Sequence, residues 1–361
     1  MNYLNRIELQ NFKSIRELDL ELGNLNILIG ANGAGKSNFV NFFKMLEAIS
    51  AGRFAEYVGL HSGHPGFFFY GNRDCGINAK LTMHLKNKQF AYQFTLKQNP
   101  EEQLVFTQEN IIADEATYSL GIGHRESHLN CDNHGGLCRR IAAQLTKWQV
   151  FQFHETSQIR GLHYIHDNLK LRENSANLAP YLLVIKEKYP SNYRRIIRTI
   201  QQIIPYFGDF VLDPLRLNSD NNRLDWRELA TNLRFSASQF SDGSLRFAAL
   251  TTLLMQPLEM MPSLILIDEP ELGLHPAAIR LLASMIKAAS ENSQIILATQ
   301  SKTLVDEFEP KDIIVLERNI DDSEIHFCSS FRRLDPCTLE NWLEDYGMGE
   351  IWDKDIIGGR P

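Results

Sequence analysis

The sequence predicts an α/β fold with a largely parallel central sheet, on three observations. A short apolar strand, LNILI (25–29), runs into a glycine-rich turn and then a helical pattern. Late in the chain, helix and strand patterns alternate: GSLRFAALTTLLM, SLILID, PAAIRLLASMIKAAS, QIILAT, a short helix near 302–308, and DIIVLE. Alternation of this kind puts helices against a sheet whose strands run in parallel. Between the two parts, residues 51–220 follow other patterns, so the late block resumes a sheet that the first strand begins.

In chain order, RIELQNF (6–12) and LNILI read as strands, the second buried on both faces. From Lys36, the residues Phe39, Phe42, Phe43, Leu46 and Ile49 recur at helical spacing. Residues 50–66 are glycine-rich and read as loop. Over 67–120, NAKLTMHL and QFAYQFTL suit strands and KQNPEEQ suits a turn. Residues 121–150 show no clear period. Ser175 and Ser191 are the expected caps of two helices, ANLAPYLLVIKEKY and NYRRIIRTIQQII, the second ending at Pro205. Strand patterns return at DFVLD (209–213) and RLDWREL (223–229), and Pro276 suits the first position of a helix.

The chain has 361 residues, 43% of them hydrophobic, enough for a sizeable core. A net charge of −7 argues against a surface basic all over, though not against a local basic patch. The N-terminus lacks a basic–apolar–small signal pattern, and no apolar run reaches the roughly 18 residues of a membrane span. The five scattered cysteines do not suggest a disulfide framework. The expectation is a soluble cytoplasmic protein with no membrane association.

The glycine-rich turn GANGAGKS (30–37) fits the pattern G-x-x-x-x-G-K-[ST] between a buried strand and a helix. Unshielded backbone N–H groups can ring a triphosphate, so Gly30, Gly33 and Gly35 suit their places. Asn32, Ala34 and Asn38 complete the stretch, and the helix N-terminus adds a positive dipole end. Lys36 would reach the β- and γ-phosphates, and the Ser37 hydroxyl would bind Mg²⁺. LILIDEPELGLHP (264–276) ends an apolar strand in Asp268 and Glu269. Asp268 would hold the Mg²⁺ beside Ser37, and Glu269 would polarise the attacking water; alone, the pair could be a strand followed by an acidic cap. QFSDGSLRF (239–247) places Ser241, Asp242, Gly243 and Ser244 at another helix start. One nucleotide does not need two helix N-termini from one subunit, whereas a dimer that covers each nucleotide with its partner's SDGS does. In LATQS (297–301), Gln300 or Ser301 would sense the γ-phosphate or position water.

These four pieces, in this order, resemble the ABC-type ATPase heads of the SMC/RecF/OLD group. The similarity is closest to bacterial stand-alone, RecF-like ATPases of the AAA_21 type. It is carried also by IELQNFKSI (7–15), GHRESHL (123–129), FQFHETS (151–157), LENWLEDYGMGEIW (339–352) and GGRP (358–361), and spans essentially the whole chain. The resemblance implies a P-loop NTPase: an ABC-ATPase head with a mixed sheet, an antiparallel β lobe and a helical insertion. As one body, 1–361 would divide into a nucleotide-binding core of 1–50 and 205–335, a β-rich insertion of 51–150, a helical insertion of 151–204 and a helical tail of 336–361. The resemblance further implies slow ATP hydrolysis, an ATP-sandwiched homodimer, Lys13 and Ser14 near the nucleotide, and His275 near the dimer seam. Gln300 stands where SMC heads usually carry a histidine; glutamine cannot take up charge, hence the slow rate. Gln152 and Gln158 are both candidates for the Q-loop glutamine. No heptad repeat fills the insertion 51–220, so the expectation is a head without long coiled-coil arms and without an appended nuclease apparatus.

Two clusters stay open. His124, His128, Cys131, His134 and Cys138 are ligand types that suit zinc, in a spacing of no finger type. Arg194, Arg195 and Arg198 form either the wet face of an amphipathic helix or a stripe for DNA phosphates. Trp226 and Trp342 read as packing aromatics. Three functions fit: an ATP-gated dimeric switch in DNA repair or maintenance, a regulatory ATPase subunit of a phage-defence system controlling a separately encoded effector, and a nucleotide-binding scaffold without turnover.

Overall fold

The computed structural model describes residues 2–61, 64–86, 88–114, 116–131, 136–215, 218–321 and 326–360. Its central sheet has six strands in the order His326–Arg333, Ile313–Asp321, Leu25–Ile29, Gln294–Thr299, Leu264–Asp268 and Trp148–Gln152. Five run in parallel, and His326–Arg333 is antiparallel to its neighbour. Successive residues of a strand point to opposite faces. Leu28, Leu266, Ile296, Ala298, Ile314 and Leu316 therefore face one core, with the helix Lys36–Ser50 and the β lobe. Ile27, Ile29, Ile265, Ile267, Ile295, Leu297 and Val315 face a second core. That core holds the helices Leu178–Lys188, Pro190–Ile203, Asp242–Met255 and Pro276–Ser290. Burial on both sides is why these strands read as unbroken apolar runs.

The strand Trp148–Gln152 lies in the segment without a readable period. It joins the sheet edge by pairing with Leu264–Asp268, and the boundary expected between 150 and 151 falls inside it. The strand Tyr3–Phe12 belongs to a separate six-stranded antiparallel sheet, with Ile15–Glu21, Ile77–Leu85, Lys88–Gln98, Leu104–Ala113 and Ala116–Gly121. Ile15–Glu21 was not expected, although Ile15, Leu18 and Leu20 are its buried residues.

Two helix caps differ from expectation. Leu178–Lys188 begins after Asn177, and Ser175 instead occupies a left-handed turn at φ 54°. Pro190 takes the first position of Pro190–Ile203, where its fixed φ and missing N–H cost nothing, so Ser191 lies inside the helix. Trp226 is buried among Phe207, Phe235 and Phe240. Trp342, expected in the packing, is 42% exposed and meets the Tyr346 ring.

The helix Met348–Asp353 docks through Trp352, which is fully buried and donates Nε1–H to the Gly359 carbonyl at 2.7 Å. Trp352→Ala is expected to lower stability by about 3–5 kcal/mol, measured by urea unfolding. No helix among the described residues is long and apolar enough to cross a membrane.

Candidate nucleotide site

The parallel register sets the ends of four strands side by side. Ile29 is level with Thr299, and Asp268 with Ala298 and Gln152. Past Ile29 the chain turns over Gly30–Gly35 into the helix Lys36–Ser50. Two positions there require glycine. A Cβ on Gly30 would stand 2.4 Å from the Leu316 carbonyl oxygen, and one on Gly35, at φ 119°, would stand 2.2 Å from Ser329 Oγ. Asn32 and Gly33 are exposed, Ala34 is buried, and Ser37 is exposed at the helix start. The buried Lys36 donates Nζ–H to the carbonyls of Gly30 and Ala31, which holds its ammonium against the loop. Burial pulls the Lys36 pKa down, while the carboxylates of Glu269, Asp268 and Glu271 pull it up.

The acidic strand end faces this lysine. Asp268 is buried and accepts a hydrogen bond from Gln152 Nε2 at 2.8 Å, and Gln152 Oε1 accepts one from Lys44 at 2.7 Å. Gln158 instead accepts from Asn174 and makes no hydrogen bond to this group, so of the two candidate glutamines the structure brings in Gln152. Glu269 sits at φ 47°, a left-handed conformation that costs a non-glycine residue about 1–3 kcal/mol. Its N–H still donates to Ala298, and its Oε1 accepts from Gln300 Nε2 at 2.5 Å. Ser301 caps the helix Lys302–Val305. Oxygen donors such as the Ser37 hydroxyl and the Asp268 carboxylate suit a hard cation. A Mg²⁺ held there would offset charge on phosphate oxygens.

Behind the loop, Ser14 Oγ accepts from Asn38 Nδ2 and lies 2.7 Å from Ser329 Oγ. Lys13, in a left-handed turn at φ 51°, lies over Phe12 and Phe67, and burial lowers its pKa.

The SDGS segment stands apart from this pocket. Ser241 caps the helix Asp242–Met255 by accepting from the Ser244 N–H at 3.1 Å, and Asp242 pairs with Arg160 at 2.8 Å. Hydrogen bonds from Thr156 and Arg160 hold the Asp242 carboxyl below its ordinary pKa. Gly243 is pressed onto the ELGL turn; a Cβ on it would stand 2.4 Å from the Gly273 oxygen. Among the described residues no hydrogen bond or ion pair joins 241–244 to 30–37. His275, exposed, accepts from the Ala277 N–H and caps the helix Pro276–Ser290.

Three contributors escaped the sequence reading. His154 Nε2 lies 3.7 Å from Asp268 Oδ2, and its Nδ1 lies 4.0 Å from Glu269 Oε2. Arg246 ties the site's loops together by donating to the carbonyls of Phe153, His154 and Leu272. Glu271 accepts from Thr299 Oγ1 and the Gln300 N–H, and burial raises its pKa. A spacing of two residues between Gln152 and His154 was the available signal, but it had no meaning until the strand that ends at Gln152 was placed beside Asp268.

The zinc-like cluster assembles differently. His124 and His128 stack at 3.8 Å beside the buried Glu109. Glu109 is already hydrogen-bonded by Tyr92, Ser127, His124 and the His128 N–H, and His128 Nδ1 meets the Leu120 carbonyl. Four partners fill the carboxylate, so this group serves as a buried polar anchor of the β lobe. Cys131 is exposed, Cys138 is buried, and His134 lies outside the described residues.

A family model described as "AAA domain" matches residues 6–204, and one described as "AAA domain, putative AbiEii toxin, Type IV TA system" matches residues 140–306. No curated protein matches the chain. Among solved structures, the chain is similar to an SMC head bound to the C-terminal winged-helix domain of ScpA, at TM-score 0.58 and 15% identity over 93% of this chain and 99% of that one. A Pyrococcus furiosus Smc head with an extended coiled coil, bound to the C-terminal domain of ScpA, gives TM-score 0.59 and 14% identity over 96% and 99%. The SMC head domain of Thermotoga maritima gives TM-score 0.50 and 13% identity over 92% and 99%. With a phosphate loop facing an acidic strand end inside this architecture, the chain belongs to the AAA-domain family and is a nucleotide-binding ATPase with the P-loop fold of an SMC-type ABC head.

Proposed function

We propose that the protein is an ATP-gated switch in which two copies close head to tail over two nucleotides. In this reading Lys36 and the N–H groups of residues 32–38 grip the phosphates, with Lys13 and Ser14 flanking the nucleotide. Ser37 and Asp268 hold Mg²⁺. Glu269, oriented by Gln300, accepts a proton from the attacking water. Positioning and electrostatics supply most of the rate enhancement. The observation that carries the reading is the split between two anion-facing parts. Lys36 and Glu269 converge within one chain, whereas Ser241–Ser244 caps an exposed helix start and, among the described residues, has no hydrogen bond or ion pair to 30–37. A second copy would complete the enclosure with its own 241–244.

The test is the mass of Glu269→Gln with and without ATP. A species of twice 41.4 kDa that appears only with ATP is expected. A variant that binds ATP and stays monomeric overturns the closure.

For the setting of the switch we favour DNA repair or maintenance in the cytoplasm. Arg194, Arg195 and Arg198 are all exposed along one helix, as a phosphate-contacting stripe requires. The family description that names a toxin–antitoxin system supports a second reading, in which the ATPase regulates a separate defence effector. Salt-sensitive, ATP-dependent DNA binding favours the first; co-purification of an effector from the native operon favours the second.

A further inference from the structure

Arg318 lies in the strand Ile313–Asp321, beside the phosphate-loop strand. The two strands pair only as far as Ile29 with Val315, so residues beyond Val315 extend past the strand end and along the glycine-rich turn. Alternation puts Arg318 on the same sheet face as Ile314 and Leu316, which pack in the core that holds the phosphate-loop helix. The strand pair is pinned to the loop on either side of Arg318. Leu316 presses its carbonyl on Gly30, and Ser329, directly across from Arg318, presses its hydroxyl on Gly35.

The guanidinium itself reaches the loop. A Cβ on Gly33 would stand 3.7 Å from Arg318 Nη1. Its Cζ lies 5.5 Å from the centre of the Phe327 ring, which holds the planar group by its face. The neighbouring polar side chains are committed: Glu317 accepts from the Gly359 N–H, and Asn319 donates to Ser330. Among the described residues Arg318 makes no hydrogen bond and no ion pair, so its N–H fork is available.

We propose that Arg318 contacts the phosphates of the bound nucleoside triphosphate, adding from the neighbouring strand a bidentate cation to the point charge of Lys36. A planar fork matches phosphate oxygens better than an ammonium does, and the ring contact removes much of the rotamer freedom that binding would otherwise cost. This inference rests on the ATPase reading above.

The experiment is equilibrium binding of ATP and ADP to the full chain and to Arg318→Ala, Arg318→Lys and Lys36→Ala. Arg318→Ala is expected to weaken ATP binding by about tenfold, the loss of one charge-assisted contact, and ADP binding by less. Arg318→Lys should fall between, because it keeps charge without the fork. If Arg318→Ala melts early, the lysine variant and its ATP-to-ADP ratio decide the matter. ATP affinity equal to the parent's in both variants, with binding still abolished by Lys36→Ala, overturns the role of Arg318 and leaves the ATPase reading standing. A parent chain that binds neither nucleotide overturns both.

Discussion

Glu269→Gln is expected to cut steady-state ATP hydrolysis by about 10²–10⁴-fold, the range for removing a positioned general base. ATP affinity should stay within about twofold, because a neutral amide replaces the carboxylate without changing the side chain's shape. The geometry explains the separation. Glu269 is held in a left-handed backbone conformation immediately after the strand end, with its N–H anchored to Ala298 and its carboxylate oriented by Gln300. Strain of this kind persists only where surrounding contacts over-determine it. Glutamine keeps those contacts but cannot accept a proton from water. The measurement is phosphate release under multiple turnover. Loss of turnover with retained binding also excludes the scaffold reading; turnover unchanged in the variant would remove Glu269 from the chemistry.

Lys36→Ala is expected to have the larger effect on binding. The ammonium is the cation that the fold draws into the phosphate loop, where Gly30 and Ala31 hold it and burial lowers its pKa. It is also the cation facing Glu269 and Asp268. Its removal leaves a polyanion facing those carboxylates with one charge fewer to offset them. ATP affinity should fall by about 100-fold or more, the worth of two charge-assisted contacts, read by titration with a fluorescent ATP analogue. The folded chain should survive, since Lys36, though buried, belongs to neither hydrophobic core, and circular dichroism checks this. Near-parental affinity would mean that triphosphate does not bind at 30–37.

Sequence and structure divide the site between them in a physically intelligible way. GANGAGKS and IDEP were legible because each is local: a turn that needs glycine, a lysine at a helix start, and carboxylates ending an apolar run. Phe39, Phe42, Phe43, Leu46 and Ile49 all lie buried, as their spacing required. His154, Arg246 and the choice of Gln152 over Gln158 were not legible. Each contact spans about a hundred positions along the chain and depends on where the strand Trp148–Gln152, whose five residues carry no period of their own, enters the sheet.

By itself, then, the sequence determined four of the six central strands, LNILI, SLILID, QIILAT and DIIVLE, and offered one glycine-rich turn as the candidate for phosphate. Those choices follow from side-chain periodicity and from the φ angles that only glycine adopts freely. The tertiary structure decided the partners. It sent Tyr3–Phe12 to the antiparallel lobe, set Trp148–Gln152 beside Asp268, and brought the Arg318 strand against the phosphate loop. Strand neighbours are chosen by which whole faces bury best against each other, a property of the assembled sheets that no short window of sequence contains.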